Sequence, residues 1–301
     1  MVLSLVWSKI LRPLSMKKLD NDIIIAAGGL GTRIDGWSSI IPKEFLPYHD
    51  RPTILHLLSE AALLSDGNIY YVYHPYYESF IQWVQKCIVD GHIGNYAAHL
   101  RSVGKDVSHN FEQLKHKIRF IPEHGTYSDI SSLLSCRDAL SSDSFYLLFG
   151  DNLYPKYQYV RDIKNTSSGG VSILGSVYDE AVASKKGILI TELHKGERRL
   201  VDLVEKPGST LAKELAKKHG ADSLFFLEGR FKLNHDFINS INIHQCLHNG
   251  EPKLAYALRN YAKIQSVKVH VCQEPVIDIG SSDRLRERIV PQAPTPDCVS
   301  S

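Results

Sequence analysis

Short apolar runs alternate with helix-periodic segments along most of this chain, and that alternation leaves few folds open to it. The runs that read as strands are DIIIAAG, IYYVYH, IRFIPE, FYLLFGD, GGVSILGSV, GILITEL, LVDLVEK, SLFFLEGRF, VKVHVC and VIDIG. Between them lie TILHLLSEAALLS, YESFIQWVQKCIV, DISSLLSCRDAL, STLAKELAKKHG and KLAYALRNYAKIQ, which carry helical patterns. Strands joined by helical crossovers predict an α/β chain with a mixed, mostly parallel sheet, helices on both faces, and ligands at the carboxyl ends of the strands. The later strands follow one another more closely, so the second half is expected to add an antiparallel portion. In this reading residues 21–290 form one domain, 1–20 an amino-terminal extension, and the Pro-rich, polar 291–301 a disordered tail.

Composition narrows the partners. With 301 residues, 43% hydrophobic and 23% charged, the chain has the make-up of a soluble globular protein. A net charge of +2, with no long run of Lys and Arg, argues against a nucleic acid polymer as partner. No stretch approaches the length of a membrane span, so no membrane partner is expected. The cysteines Cys87, Cys136, Cys246, Cys272 and Cys298 are scattered, with no C-x-x-C pair, which suits reduced thiols in a cytoplasmic protein. The apolar start MVLSLVWSKILRPLSMKK is interrupted by Lys9 and has no small-residue cleavage site, so it is expected to pack or fray as an extension. A homo-oligomer stays open.

The stretch AAGGLGTRIDGWSSIIPKEFLP, residues 26–47, follows the first strand and so reads as a loop at its end. A dinucleotide fingerprint would need glycine where Ile34 stands, and a P-loop would need Gly-Lys followed by Ser or Thr. Two readings remain. In one, bare backbone N–H groups approach a triphosphate while Arg33 offers a charged fork to its outer phosphates. In the other, the loop is a tight strand-to-helix turn with a solvated arginine.

Other strand ends bear on that choice. FYLLFGDNLY brings Asp151 to the same sheet edge, and VIDIGSS repeats the arrangement with Asp278. Two carboxylates beside a phosphate loop suit a magnesium ion shared with phosphate oxygens, although a lone Asp would as readily cap a helix or form a turn. LVEKP ends another strand with Glu205 and Lys206, an acceptor and a cation together, or simply solvated surface.

In the order G-G-x-G-T-R, P-K, G-T, G-D, E-K-P, G-R-F and D-x-G, from residue 22 to about 288, these pieces resemble the sugar-1-phosphate nucleotidyltransferases, the nucleotide-sugar pyrophosphorylases. IPKEFLP and GRFKL are similar to the bacterial UDP-glucose pyrophosphorylases, and other parts to the guanylyltransferases for mannose and heptose phosphates. The resemblance implies a Rossmann-like fold of the nucleotide-diphospho-sugar transferase type, Mg²⁺ as cofactor, and a nucleoside triphosphate and a sugar 1-phosphate as partners. An oxygen of the sugar phosphate would attack the α-phosphorus in line while pyrophosphate leaves, a reaction that needs charge cancellation and alignment more than proton transfer. By the same resemblance Ala27, Gly28, Gly29, Gly31 and Thr32 would cradle the nucleotide, and Gly125 and Thr126 would approach its base. Arg33 would neutralise the leaving pyrophosphate, Lys43 bridge toward the α-phosphate, and Lys206 hold the sugar phosphate. Asp151 and Asp278 would carry Mg²⁺, Glu205 would accept from sugar hydroxyls, and the Gly187 backbone would meet the sugar.

Departures from the family pattern bear on specificity. Where the uridylyl and thymidylyl branches carry Gln before Gly-Thr, this chain has Glu123. An ionised Glu only accepts, and guanine offers adjacent donors at N1 and its exocyclic amine. Hydrogen bonds to charged groups contribute about 1.5–3 kcal/mol, enough to reverse a base preference, so GTP is expected over UTP or dTTP. An exposed Glu at a strand end is the plain alternative. Glu228, beside the glycine of G-R-F, marks an unusual acceptor such as an amino sugar or a cyclitol, or else faces solvent. Tyr127, where relatives have a small residue, would alter stacking on the base. Two other classes stay open, a catalytically silent subunit that senses nucleotide sugars and a transferase for a non-sugar phosphate such as phosphocholine.

Overall fold

The run DIIIAA is buried on both sides, and this sets the sheet. In the computed structural model it forms β1 (Asp22–Ala27), with Ile23, Ile25 and Ala27 in one core cluster and Ile24 in the other. Successive strand residues face opposite ways, so a strand apolar at every position must lie between two packed layers. The structure describes residues 20–280 apart from 49–50, 93–94, 96–97, 100–101, 103–115, 126, 155 and 166–169. The expected tail and all but the last residue of the expected extension lie outside those residues.

Strand β1 runs parallel to β2 (Ile69–Tyr73) on one side and β4 (Ser144–Phe149) on the other, with β3 (Ile118–Pro122) parallel beyond β2. Strands β5 (Val171–Val177), β6 (Ile188–His194), β7 (Glu197–Val204), β8 (Leu224–Asn234) and β9 (Val267–Cys272) complete a nine-stranded sheet in the order β3-β2-β1-β4-β8-β5-β9-β7-β6. Strand β8 is antiparallel to β4 and β5, β7 is antiparallel to β9 and β6, and β9 is parallel to β5. Every strand but β7 and β8 therefore points the same way. VIDIG departs from expectation. Its Ile277–Asp278 stays out of the sheet and pairs instead with Asn152–Leu153, the chain leaving β4, in a two-stranded ribbon over the sheet's edge.

Helices cover both faces as expected. From α1 (Thr53–Leu64), α2 (Glu78–Val89) and α4 (Val160–Lys164), Leu57, Ala61, Ile81 and Ile163 pack on one side. From α3 (Ser131–Ser135), α6 (His235–Ser240) and α7 (Leu254–Ala262), Leu133, Phe237 and Leu258 pack on the other. Helix α5 (Gly208–His219) seats Ala212 and Leu215 against Ile188, Ile190 and Phe226. Among the described residues no helix is long and apolar enough to cross a membrane, and Cys87, Cys136, Cys246 and Cys272 are free thiols.

An arginine lies buried in the middle of β8, where the register against β5 shifts between Leu227 and Phe231. Arg230 binds Glu60 of α1 through both carboxylate oxygens, with Nη2 to Oε2 at 2.9 Å and Nε to Oε1. Its Nη1 donates to the carbonyls of Phe149 at 3.0 Å and Gly229 at 2.8 Å, and its Nη2 to that of Asn152 at 2.6 Å. The Tyr159 hydroxyl donates to Glu60, and the guanidinium lies 4.8 Å from the centroid of the Tyr154 ring. Arg230→Ala would strand the Glu60 carboxylate without its partner and leave three carbonyls short of a donor. The expected cost is about 3–5 kcal/mol, read as a lower midpoint of urea unfolding. A midpoint within error of wild type would show that the network carries no stability.

Candidate active site

The parallel strands β1, β2, β3 and β4 end on one edge of the sheet, and the glycine loop, Glu123 and Asp151 follow three of those ends. The loop is closed by Gly31, whose φ of +62° lies in the left-handed region open to glycine, and it leads into a 3-10 helix, Thr32–Ser39. Tyr77 pins it from α2's side of the sheet, its hydroxyl reaching the carbonyls of Leu30 at 3.0 Å and Ser38 at 2.6 Å. Tyr77 packs in the core, and it anchors the loop as well.

Two groups lie against the glycines. A side chain begun at Gly28 would meet Glu123 Oε1 at 2.3 Å, so the carboxylate rests on that glycine and admits no Cβ. Glu123 is buried, accepts from Ser132 Oγ of α3 at 2.7 Å, and has its backbone N–H on the Tyr73 carbonyl. It is therefore no exposed strand-end residue, and burial pushes its carboxyl above the usual range. At Gly29 the same construction comes within 3.2 Å of Lys43 Nζ and 3.6 Å of Tyr127 Oη.

Lys43 is buried, and its Nζ donates to Asp151 Oδ2 at 3.0 Å and stands 3.5 Å from Glu44 Oε1. Burial opposes its charge, but the carboxylates of Asp151 and Glu44 outweigh it and hold the ammonium above its ordinary range. Burial likewise opposes ionised Asp151, and Lys43 outweighs it to hold that carboxyl low. Glu44 is fully buried, neither oxygen has a hydrogen-bond partner among the described residues, and burial pushes its carboxyl up to about 7 against the pull of Lys43. Arg33 and Asp278 complete the edge. A single point beside the Gly280 Cα lies 3.0 Å from Asp278 Oδ1, 3.2 Å from Arg33 Nη2 and 3.7 Å from Asp151 Oδ2.

Two cavities adjoin here. One, of about 180 Å³, is lined by Gly28, Gly29, Lys43, Glu123, Tyr127 and Asp151 among others. A second, of about 130 Å³, shares Asp129 and Phe149 with it and is lined by Asn152, Gly187, Glu205 and Glu228. Glu205 Oε2 would lie 2.8 Å from a side chain begun at Gly187, and Asn152 Oδ1 2.4 Å from one begun at Gly229. Ala26 rather than Ala27 lines the first cavity, because Ala27 faces the opposite way into the core. Arg33, Thr32, Gly125 and Lys206 are exposed and line neither cavity, and Thr126 lies outside the described residues. Lys206 stands 3.7 Å from Glu205 on a backbone with φ of +44°, a conformation that non-glycine residues rarely adopt. Ser132, Asp129, Asn152 and Lys253 also line the cavities and escaped sequence reading. Only Asn152 carried a signal, as the next residue after Gly-Asp.

This geometry accords with what the chain resembles in sequence. It belongs to the nucleotidyl transferase family, whose model matches residues 22–290. It is similar to the UTP–glucose-1-phosphate uridylyltransferase YngB of Bacillus subtilis, 26% identical over 276 residues that cover 88% of this chain and 86% of that one. UTP–glucose-1-phosphate uridylyltransferase 2 of Staphylococcus saprophyticus is 26% identical over 281 residues, covering 88% and 89%. Among solved structures, a UDP-glucose pyrophosphorylase complexed with UDP-glucose shares the fold with a TM-score of 0.71 at 19% identity, over 90% of this chain and 97% of that one.

The carboxylates can be tested against magnesium. Among the described residues no three His, Cys, Asp or Glu converge to cage a metal. Mg²⁺ needs no such cage, since it is commonly held by one or two carboxylates with phosphate oxygens and water filling its octahedron. Asp151 and Asp278, facing one point beside Arg33 of the glycine loop, fit that donor set.

Two predictions follow from these charges. Lys43→Ala and Asp278→Ala are each expected to lower turnover by about 10²-fold or more while leaving the far-ultraviolet circular dichroism unchanged. Near-normal turnover in Asp278→Ala would remove that carboxylate from the site. Glu44 gives a signed pH effect. Its carboxyl titrates near 7 in the fold against an ordinary 4.5, so as pH rises between those values the unfolded chain releases a proton that the fold retains. Stability then falls through that window. Glu44→Gln should gain melting temperature relative to wild type between about pH 5 and pH 7.5, and a gap that stays constant would refute the assignment.

Proposed function

We propose that this enzyme joins a nucleoside triphosphate to a sugar 1-phosphate, giving an NDP-sugar and pyrophosphate. The observation that carries the reading is the buried Lys43–Asp151 pair against Gly29, beside a second cavity lined by Gly187 and Glu205. A bond forms between an oxygen of the sugar phosphate and the α-phosphorus, and the α–β bridging bond breaks with its electron pair leaving on pyrophosphate. The nucleophile is already ionised, so no residue need act as a base. Lys43 would meet the α-phosphate, and Arg33 and Lys206, both exposed, would turn to the leaving and incoming phosphates. Asp151 and Asp278 would hold Mg²⁺, which supplies Lewis-acid stabilisation of phosphate charge when bound. Retention of Arg33, Lys43, Asp151, Lys206 and Asp278 argues against a silent sensor.

The base is read at Gly28 and Glu123. An ionised Glu123 favours guanine's donor edge, and on that ground GTP is the proposed nucleotide. UTP is the second reading, favoured by relatives named for UTP. Burial also favours a protonated Glu123, which could both donate and accept as Gln does. Pyrophosphate release over a matrix of nucleoside triphosphates and sugar 1-phosphates tests both. GTP should lead, with Glu123→Gln shifting the ratio toward UTP and dTTP by about tenfold. Faster wild-type turnover on UTP than on GTP would hand the base to the second reading.

A further inference from the structure

The cavity of Gly187 and Glu205 holds more negative charge than a neutral sugar calls for. Glu228, at the bulge of β8, is only 4% exposed and lines it together with Glu205 and Asp129, while among the described residues no Lys, Arg or His does. Glu228 is thus no solvent-facing residue. Its Oε1 accepts from Ser176 Oγ at 2.6 Å and from Lys186 Nζ at 3.0 Å, and Lys186 is held beside the strand with its Nζ 5.2 Å from the Phe226 ring centroid. Oε2 has no hydrogen-bond partner among the described residues.

The other two carboxylates are no better compensated. Asp129 accepts one backbone N–H, that of Leu254, at 2.7 Å, and burial pushes its carboxyl up to about 6 against the pull of Lys253, with Glu205 and Glu251 adding to the rise; Lys253 is itself bonded to Glu251 at 2.6 Å. Glu205 has Lys206 at 3.7 Å, a cation that the proposed reaction assigns to the sugar phosphate. Hydroxyls of a neutral sugar can donate to these oxygens but bring no counter-charge to a desolvated cluster. An ammonium brings both.

Resting on the transferase reading above, we propose that the acceptor is a sugar 1-phosphate bearing a free primary amine, and that Glu228 is the residue that selects it, through Oε2. The contact is a charge-assisted hydrogen bond, stronger than a hydroxyl makes to the same oxygen.

The test uses the full chain and measures pyrophosphate release from glucose 1-phosphate, glucosamine 1-phosphate, glucose 1-phosphates bearing the amine at the other ring positions, and the N-acetyl form of each. One free amine is expected to exceed glucose 1-phosphate by about tenfold in kcat/KM, and its N-acetyl form to lose that advantage. Glu228→Gln should collapse the amine-to-glucose ratio toward unity. If glucose 1-phosphate matches or exceeds every amine, this inference falls and the transferase reading stands. The wild-type panel decides that point even where Glu228→Gln does not fold. A ratio unmoved in a folded Glu228→Gln overturns the role of Glu228, and no pyrophosphate from any pair overturns both readings.

Discussion

The buried pair of Arg230 and Glu60 fixes the geometry from which the rest of the site follows. A hydrophobic pair of similar volume would fold as stably, because burying two charges costs about what their attraction returns. It would not reach three carbonyls. Those of Phe149 and Asn152 bracket the Gly150–Asp151 corner, and Arg230 holds both at 3.0 Å or less. The corner is then tied to its neighbours, Gly150 N–H to the Ala26 carbonyl of β1 and the Asp151 carbonyl to Ile279 N–H. With its backbone held from both sides, Asp151 aims its carboxylate at Lys43, and Lys43 is thereby set against Gly29. An arginine in β8 thus positions a lysine almost two hundred residues away that it never touches.

A second regularity runs across both cavities. Glu123 rests on Gly28, Glu205 on Gly187, and Asn152 on Gly229, each with a side-chain oxygen within 3 Å of where a Cβ would begin. These glycines are required for close approach rather than for an unusual φ, since none of the three has a positive one. Removing the Cβ lets an acceptor and a bare stretch of backbone share one small space, so each position presents main chain beside a side-chain acceptor. A base edge and a ring of hydroxyls both present such mixed patterns.

The fold was legible because it rests on local signals. DIIIAA, buried on both faces, and the helical periods between the runs specify a covered sheet without reference to anything distant. The ends of β1 and β4 were legible for the same reason, since Gly31 and Asp151 follow directly from runs that end there. VIDIG misled because a short apolar run does not reveal whether its partner is the sheet or a neighbouring strand end. Arg230 was visible within SLFFLEGRF, but its role was not. An arginine at the centre of an apolar strand must be paired, yet Glu60 is separated from it by most of the fold. Ser132 and Lys253 reach the cavities only through the packing of α3 and the chain entering α7, which no spacing in the sequence encodes. Whether Glu123 and Glu228 were surface or site turned on burial alone, and burial is what a sequence without a fold withholds.

Charge is fixed on one side of the site and adjustable on the other. Lys43 is held above its ordinary range and Asp151 below its own, so neither changes protonation near neutral pH. A transfer between already ionised phosphates gains nothing from a residue that gives or takes a proton, and it does need charges that stay in place as the bonds exchange. Asp129, pushed up to about 6, lies instead where the two cavities meet, among Glu205 and Glu228. There a ligand's own charge decides how far Asp129 ionises. A cationic group would draw Asp129 back toward its ordinary range, and a neutral one would leave it partly protonated near neutral pH. The charge around Lys43 and Asp151 is thereby fixed, while Asp129, at the junction of the cavities, adjusts to what enters.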